Sequence, residues 1–417
     1  MKQQIDADKH KGRGEEKKPL VVYLHRYPPE IEMRQYSAMR KLIDLLLIDY
    51  RVLYVSMKCH GKPDPAVRRG IDIMEIPLKV DQARPGDKWL KTVLYYLTLP
   101  VTLWRIRKTS PDFIICKEQL PFIPSLMTCM RVPMLIAVSD WWWSIFFGGS
   151  MLGRRIASWF EGEEVKHWNL SGAWVVANSR AEAEVVSRKG FSRDRIRVIN
   201  TPFLPDVYQP CNANDVRWRL GLGENLWCVS IHGMIRPGKG YGQILEWWKE
   251  LIKKHDNWRL IIIGGGGGES WCRKYIKSLG LKKHVIITGW LPSQEDVNKH
   301  LNASDCLLVV RRNSEDNEGN IPSALYHSLA TGKPTVATGL AGISEIVRDR
   351  MDGFLFKPDN YESFKNVLEY VYSHPKEAEI AGKSGIKRVK ECLDPDRTAS
   401  MHVALIKEIL KEKNDKA

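Results

Sequence analysis

Short apolar runs alternate with helix-type patterns along nearly the whole chain, and this alternation limits the fold more than any other feature. Apolar runs bounded by turn residues predict strands, and the amphipathic segments between them predict helices. Strands that are joined through helices lie parallel in a sheet. The predicted strands span residues 20–25, 51–56, 71–76, 113–116, 133–139, 173–178 and 196–200, and then 226–233, 258–264, 284–289, 305–310, 334–338 and 353–356.

A segment rich in Pro, Asn and Asp separates these two sets of strands. Residues 200–215, NTPFLPDVYQPCNAND, have the composition of a linker. We therefore predict an α/β protein with two doubly wound, Rossmann-like domains that face a cleft, at residues 19–205 and 206–395. Residues 1–18 mix both charge signs without an apolar core and predict a disordered leader. Residues 396–417 predict a C-terminal helix that packs back on the first domain.

The chain is strongly basic, and its charge is uneven. The net charge is +15, and residues 1–200 hold 33 Lys and Arg against 22 Asp and Glu. A basic half suits nucleic acid, anionic lipid or an acidic substrate, but the charges are dispersed and no nucleic-acid-binding module accompanies them. No apolar run reaches about 18 residues, so no membrane-spanning helix is predicted. Eight scattered cysteines without a Cys-x-x-Cys pair favour a reduced, cytosolic chain without a metal site.

Five consecutive glycines follow the strand LIII at residues 264–268. A dinucleotide-binding Gly-x-Gly-x-x-Gly motif that starts at Gly264 would need glycine at Glu269, and the Gly-Lys-Ser/Thr of a P-loop is missing. Two interpretations stay open. The run is a permissive turn that lets the backbone pass close to a neighbour, or it is a loop beside a bound ligand.

A sharper candidate site combines a helix start with a basic loop. Pro322 can begin a helix over SALYHSLA, whose first amides and dipole would favour an anion such as a diphosphate. Arg236 and Lys239 lie in HGMIRPGKGY (232–241), after the first strand of the same half, and can grip the same phosphates. Either loop alone is an ordinary turn, but together they lie at the strand ends of one predicted sheet.

In this order and spacing, the motifs resemble those of the GT-B glycosyltransferases, in particular the retaining family 4. HGMIRPGKGY is similar to that family's Gly-Arg-x-x-x-x-Lys-Gly segment, and WRLIIIGGGGGES (258–270) is similar to its strand ending in Gly-x-Gly. EGNIPSALYHSLATGKPTVATGLAGISEIV (318–347) is similar to its Glu-Gly-x-Pro turn with the helix and strand that follow. The likeness covers residues 225–375 and is looser in the first half, at GAWVVANSRAEAEVV and IRVINTP.

The resemblance implies a nucleotide-sugar donor bound by the second domain, with its diphosphate on the helix after the Glu-Gly-x-Pro turn. The expected donor-binding residues are Gly233, Arg236, Lys239, Trp290, Asn320, Ile321, Pro322, Ser323 and His327. Cations and amides there would stabilise the departing diphosphate without a metal ion or cofactor. The transition state would be oxocarbenium-like, and the family implies front-face attack with retention.

Several positions depart from the family pattern. His327 stands where the family has a ribose-binding glutamate, and it can still hydrogen-bond a ribose hydroxyl. Glu318, the expected contact to the donor sugar, is shifted by one residue relative to Pro322, and the usual phosphate arginine falls on Met234. The family's His-Asp has become Ser-Asp, in which Asp140 would orient or deprotonate the acceptor. The alternative for Asp140 is a cap on the next helix. The candidate catalytic residues are thus Asp140 and Glu318.

Two aromatic and basic segments suggest contact with a membrane. Residues 87–110 form an apolar helical pattern that Pro100 should kink or divide. Residues 140–160 contain Trp141, Trp142 and Trp143 with a nearby basic pair, a combination suited to the membrane interface. The alternative for both segments is packing in the core.

The sequence therefore predicts a glycosyltransferase that acts on a lipid-linked or saccharide acceptor in cell-surface glycan synthesis. We expect it to be cytoplasmic and peripheral at the anionic inner face of the cell membrane, with no nucleic-acid partner. Alternative functions are another GT-B enzyme, such as a nucleotide-sugar epimerase or hydrolase, and a nucleic-acid-binding protein.

Overall fold

The computed structural model describes residues 18–416 except 32–36, 60–61, 81–87, 118–119, 139–140, 148–149, 204 and 237–238. The predicted leader therefore lies almost wholly outside the described residues. Within them, two parallel sheets are formed, and each predicted apolar run becomes a strand of one sheet.

The first sheet has the strand order β3-β2-β1-β4-β5-β6-β7, and all its pairings are parallel. Its strands are β1 Leu20–Leu24, β2 Arg51–Cys59, β3 Asp72–Val80, β4 Phe113–Cys116, β5 Met134–Ala137, β6 Trp174–Ala177 and β7 Ile196–Val198. The central strands are buried on both faces, which explains their nearly continuous apolar runs.

The second sheet has the order β10-β9-β8-β11-β12-β13, again with parallel pairings. Its strands are β8 Trp227–His232, β9 Trp258–Ile263, β10 Val285–Gly289, β11 Cys306–Val309, β12 Thr335–Thr338 and β13 Phe354–Phe356. This is the strand order of a doubly wound dinucleotide-binding sheet, and the first sheet extends the same order by one strand. The predicted pair of Rossmann-like sheets is thus present.

Helices cover both faces of each sheet, as right-handed crossovers between parallel strands require. In the first domain they are α1 Ser37–Asp49, α2 Pro65–Arg68, α3 Lys88–Lys108, α4 Ile123–Met127, α5 Trp142–Phe147, α6 Met151–Leu170 and α7 Arg180–Arg188. In the second domain they are α8 Asn214–Arg219, α9 Tyr241–Leu251, α10 Glu269–Ser278, α11 Gln294–Asn302, α12 Glu315–Glu318, α13 Ser323–Ala330, α14 Ala341–Ile346, α15 Tyr361–Ser373 and α16 Pro375–Cys392. The last helix is α17 Pro395–Lys416.

The chain crosses between the domains at two places. In the linker, Phe203 and Tyr208 are buried in the core of the second domain, so this segment is packed rather than free. After α16 the chain returns, and α17 packs on α1 of the first domain through Leu405, Ile406 and Ile409.

Helix α3 decides one of the two alternatives for Pro100. The helix continues through Pro100 from Lys88 to Lys108 and is not divided there. Tyr95, Leu99 and Ile106 bury one side of α3 in the first core, and this tertiary packing stabilises the helix despite the lost hydrogen bond. Among the described residues, no helix combines the length and apolarity needed to cross a membrane.

Candidate functional site

The second sheet has one position where the strand order reverses, and the predicted donor residues gather there. Strands β8 and β11 are parallel neighbours at the centre, and the chain leaves their carboxyl ends in opposite directions. Such a switch point opens the crevice in which α/β proteins bind ligands. The loop at 233–240 follows β8, and the segment leading to α13 follows β11.

The glycine run forms backbone hydrogen bonds with the loop after β8. The Ile235 amide donates to the Gly265 carbonyl at 2.8 Å, and the Gly268 amide donates to the Ile235 carbonyl at 3.0 Å. Gly264 has φ +136°, and a Cβ there would lie 2.2 Å from the Gly233 carbonyl oxygen. The glycines are therefore needed for close approach of two backbone segments. This applies to four of the five glycines, because a Cβ at Gly267 would meet nothing within 4 Å. A direct role of the run in ligand binding stays a prediction.

Helix α13 begins at the predicted position. Pro322 is the N-cap residue, and no side chain caps the first turn. Ser323 is the first helical residue, and Ile321 is buried. The first amides of a helix have no partner within it, and the positive end of the helix dipole lies here. The start of α13 is thus suited to a diphosphate.

Each of the two loops carries a cation that acts electrostatically on the end of β8. Burial is the main cause of the lowered pKa of His232, and the charges of Arg311 and Lys239 lower it further. A Cβ at Gly240 would lie 3.0 Å from the Val310 side chain, which brings the β8 loop against the end of β11. Arg236 lines a pocket together with Trp271 and Arg312. Sequence reasoning missed Arg311 and Arg312, although a basic pair directly after a buried strand was a usable signal.

His327 lies beside this cluster. Its ring stacks on Tyr208 with centroids 3.7 Å apart, and its Nδ1 lies 3.5 Å from Nε2 of His232. Burial lowers the pKa of both imidazoles, to about 3 for His232. Both rings are therefore neutral at physiological pH. A neutral imidazole can accept a proton from a hydroxyl group, so the ribose-binding role of His327 remains chemically possible and stays a prediction.

Glu318 has a partner in the other domain. Its carboxylate accepts a hydrogen bond from Arg188 of α7 at 2.7 Å, and both side chains are partly exposed. This ion pair raises the pKa of Arg188. The catalytic role of Glu318 stays a prediction, and it would require the carboxylate to leave Arg188.

The remaining predicted donor residues lie around the two loops. Asn320 is half-buried between Gly319 and Ile321. Trp290 follows β10 and is 50% exposed, and its ring covers Gly265. Because β10 is two strands from β8, Trp290 borders the candidate site and lies away from the start of α13.

In the first domain, Asp140 lies outside the described residues, so its role towards an acceptor stays a prediction. The first sheet has an equivalent switch point between β1 and β4. His25, Arg26 and Tyr27 follow β1 there, and Arg26 lies over the Tyr27 ring at 5.0 Å. Sequence reasoning did not single out these residues, because the reversal of strand order is visible only once the sheet is known.

The structure corrects the expectation for Trp141. This residue is buried in the first core, and the Lys189 ammonium lies 4.8 Å from its ring centre. A buried side chain cannot enter a bilayer. The Trp142 side chain lies outside the described residues.

Trp143 contacts the buried carboxyl group of Glu164 and the ring of Phe160. It stacks on Phe160 at 4.3 Å, and its Nε1 donates to Glu164 at 2.6 Å. Burial raises the pKa of Glu164 to about 7, although its hydrogen bonds oppose this shift. Trp143 therefore packs mainly within the first domain.

Known proteins resemble the chain at two levels. A sequence profile of the family described as glycosyl transferases group 1 matches residues 213–388. An uncharacterized glycosyltransferase of Haemophilus influenzae is 25% identical over 202 residues, covering 48% of this chain and 52% of that protein. The UDP-Gal:alpha-D-GlcNAc-diphosphoundecaprenol alpha-1,3-galactosyltransferase of Escherichia coli is 27% identical over 161 residues, covering 38% and 40%. The chain thus spans about half the length of these relatives.

The likeness in structure extends over both domains. The crystal structure of Anabaena HepE in complex with UDP-glucose superposes with a TM-score of 0.69 at 17% identity, covering 93% of this chain and 99% of that one. At this identity the likeness concerns the fold, which is GT-B. Membership of family 4 within group 1 stays a prediction.

Proposed function

We propose that this chain, which has the GT-B fold and matches the profile of the group 1 glycosyl transferases over residues 213–388, is a glycosyltransferase of that group. It transfers a sugar from a nucleoside-diphosphate sugar to a lipid-linked or saccharide acceptor in glycan synthesis, with retention. The observation that carries the proposal is the uncapped start of α13 at the switch point of the second sheet, where the loop that carries Arg236 and Lys239 packs against the end of β11 through Gly240 and Val310.

The chemistry follows from where charge develops. When the bond between sugar and diphosphate breaks, negative charge grows on the departing phosphate oxygens. Amides at the start of α13 and the side chains of Arg236 and Lys239 can stabilise that charge, and these groups need no reorganisation during the reaction. The same groups make a metal ion unnecessary for leaving-group departure in this proposal.

Binding of nucleoside diphosphates tests the donor site. We expect one of UDP, GDP and ADP to bind in a calorimetric titration, and Lys239→Ala to weaken that binding by about 1–3 kcal/mol, the range for a hydrogen bond between charged groups. Lys249→Ala is the matched control, because Lys249 is an exposed residue of α9 beyond the site. Equal loss in both variants, or none in Lys239→Ala, would rule out this role of Lys239.

Turnover with and without acceptor separates the candidate reactions. A transferase should release nucleoside diphosphate rapidly only when the acceptor is present, and the product should keep the anomeric configuration of the donor. Release at the same rate without acceptor would favour a nucleotide-sugar hydrolase, and isomerisation of the sugar would favour an epimerase.

We also propose an acceptor carried by lipid. The name of the Escherichia coli relative describes an acceptor linked to diphosphoundecaprenol. In this chain, two helices that pack into the same core of the first domain each expose an apolar stripe. Leu97, Val101 and Trp104 are 69%, 60% and 57% exposed on α3. Leu152, Ile156 and Trp159 repeat the same i, i+4, i+7 spacing on α6, with exposures of 69%, 38% and 61%. We call these six residues the apolar outer face.

Basic residues adjoin the apolar outer face, which suits an anionic bilayer at the inner face of the cell membrane. They are Arg105, Arg107 and Lys108 on α3 and Arg154 and Arg155 on α6, all exposed. Each contributes on the order of 1 kcal/mol near an anionic surface, and the Trp side chains add apolar burial. We therefore propose that the apolar outer face, and not Trp141–Trp143, contacts the membrane.

Vesicle sedimentation tests the contact. The wild type should sediment with vesicles of phosphatidylglycerol and phosphatidylcholine, less with phosphatidylcholine alone, and less as salt rises. A variant with Leu97, Val101 and Trp104 changed to Ser should stay in solution. Trp218→Ser is the control, because Trp218 is 82% exposed on the second domain. Binding by the triple variant equal to wild type would exclude this face.

A further inference from the structure

Helix α7 belongs to the first domain, but its N-terminal end is held by the second. The Glu345 carboxylate of α14 accepts hydrogen bonds from the Arg180 and Ala181 amides at 2.9 and 2.8 Å. These are first-turn amides of α7, which have no partner within the helix. A carboxylate there also interacts favourably with the helix dipole. Glu345 therefore caps a helix of the opposite domain.

Side chains at the same end of α7 donate hydrogen bonds to the loop that precedes α13. The Ser179 hydroxyl donates to the Gly319 carbonyl at 2.5 Å, and the Asn178 amide group donates to the Ile321 carbonyl at 3.4 Å. Two carbonyls, two residues apart, are thus fixed from the first domain. Pro322, the N-cap residue of α13, follows directly. The position of the helix start is therefore tied to α7.

Glycines allow these segments to touch. A Cβ on Gly319 would lie 2.4 Å from the backbone N and Cα of Glu182 in α7. A Cβ on Gly342 of α14 would lie 2.4 Å from the Gly319 carbonyl oxygen. Gly319 has φ −93°, which any residue adopts, so glycine is needed here for the contact rather than for backbone conformation. Helix α7, the 319–322 loop and α14 thus interlock without space between them.

We propose that this interlock positions the donor-diphosphate site, with Glu345 and Ser179 as positioning residues. The inference deepens the proposed function and rests on it. Through the interlock, the first domain holds the start of α13 in the orientation that receives the phosphates. Donor binding and the seating of α7 on the second domain are therefore coupled, and each strengthens the other by the same factor.

Variants of Glu345 test the coupling. With the tightest-binding of UDP, GDP and ADP as the probe, we expect Glu345→Ala to raise the dissociation constant about tenfold, within the usual range of coupling between sites. Glu345→Gln keeps one accepting oxygen and should fall between this variant and wild type, and it serves if Glu345→Ala does not fold. Glu184→Gln is the control, because Glu184 is on the same helix and pairs with Arg193 of its own domain.

The outcomes separate this inference from the proposed function. If wild type binds none of the three nucleotides, the proposed function fails and the inference fails with it. If wild type binds one of them and both Glu345 variants bind it equally well, only the inference is overturned. A lower melting temperature with unchanged affinity would likewise overturn it, because the interlock would then be purely structural. Weaker affinity in the Glu345 variants, with the control unchanged, would support it.

Discussion

Replacing Gly319 with alanine should disturb both the stability of the chain and its donor site. The added Cβ would lie 2.4 Å from two backbone atoms of Glu182, whereas non-bonded carbon atoms are comfortable at about 3.5–4.0 Å. Helix α7 and the loop must therefore separate by roughly 1 Å. Overpacking of this kind costs about 1–3 kcal/mol. Losing the bond from Ser179 to the Gly319 carbonyl adds about 0.5–1.5 kcal/mol.

The combined cost is about 1.5–4.5 kcal/mol, and calorimetric unfolding should show it. In a domain of this size, each kcal/mol lowers the melting temperature by roughly 2–4 °C. We expect a fall of several degrees, or separate transitions for the two domains once the contact between them is weakened. Nucleoside diphosphate binding should weaken in the same variant.

Gly162→Ala is the matched control for this substitution. Gly162 lies within α6, and an added Cβ there meets nothing within 4 Å. Alanine should stabilise that helix slightly, because glycine is the poorer helix former. If Gly319→Ala melts and binds nucleotide like wild type, the close packing of α7 on the 319–322 loop does not exist in solution.

Three further predictions concern protons and metal ions. Folded His232 stays neutral because its pKa is about 3. Below about pH 6.5 the unfolded chain takes up a proton that the folded chain does not, so the free energy of unfolding falls by about 2 kcal/mol at pH 5. His232→Asn should therefore lose less thermal stability than wild type between pH 7 and 5. Burial raises the pKa of Glu164 to about 7, so its contribution is lost as pH rises from about 4.5 to 7, by about 3 kcal/mol in total. Glu164→Gln should then lose less stability than wild type between pH 5 and 8, and an equal loss would contradict the buried acid. Finally, turnover should persist in EDTA, and activity that disappears and returns with Mg²⁺ or Mn²⁺ would contradict leaving-group stabilisation by side chains and amides alone.

The sheets could be predicted from the sequence because their strands are buried on both faces. Such strands must be apolar along their whole length, as in VVYL before His25 and LIII before Gly264. The candidate donor loops could be predicted for a related reason. They follow the apolar runs directly, and loops after parallel strands meet at one edge of the sheet.

The direction of side chains and the contacts between domains could not be predicted. Three adjacent tryptophans suggested contact with a membrane, but Trp141 is buried in the core and Trp143 donates a hydrogen bond to Glu164, 21 residues later. Likewise, Gly319 looked like an ordinary turn residue. Glycine is required there because the backbone of Glu182, in the other domain, leaves no room for a Cβ. The residues around Gly319 in the sequence do not reveal this contact.

The return of α17 to the first domain has a consequence for recombining this protein with its relatives. The first domain is not one continuous segment, because its core includes Leu405, Ile406 and Ile409 from the end of the chain. Arg197 and Asp49 also form ion pairs with Glu408 and Lys407 of α17. A chimera joined only within the linker would combine one parent's sheet with the other parent's closing helix. Exchange of the whole first domain therefore requires two junctions, one in the linker and one after α16, so that α17 is inherited together with the surface it covers.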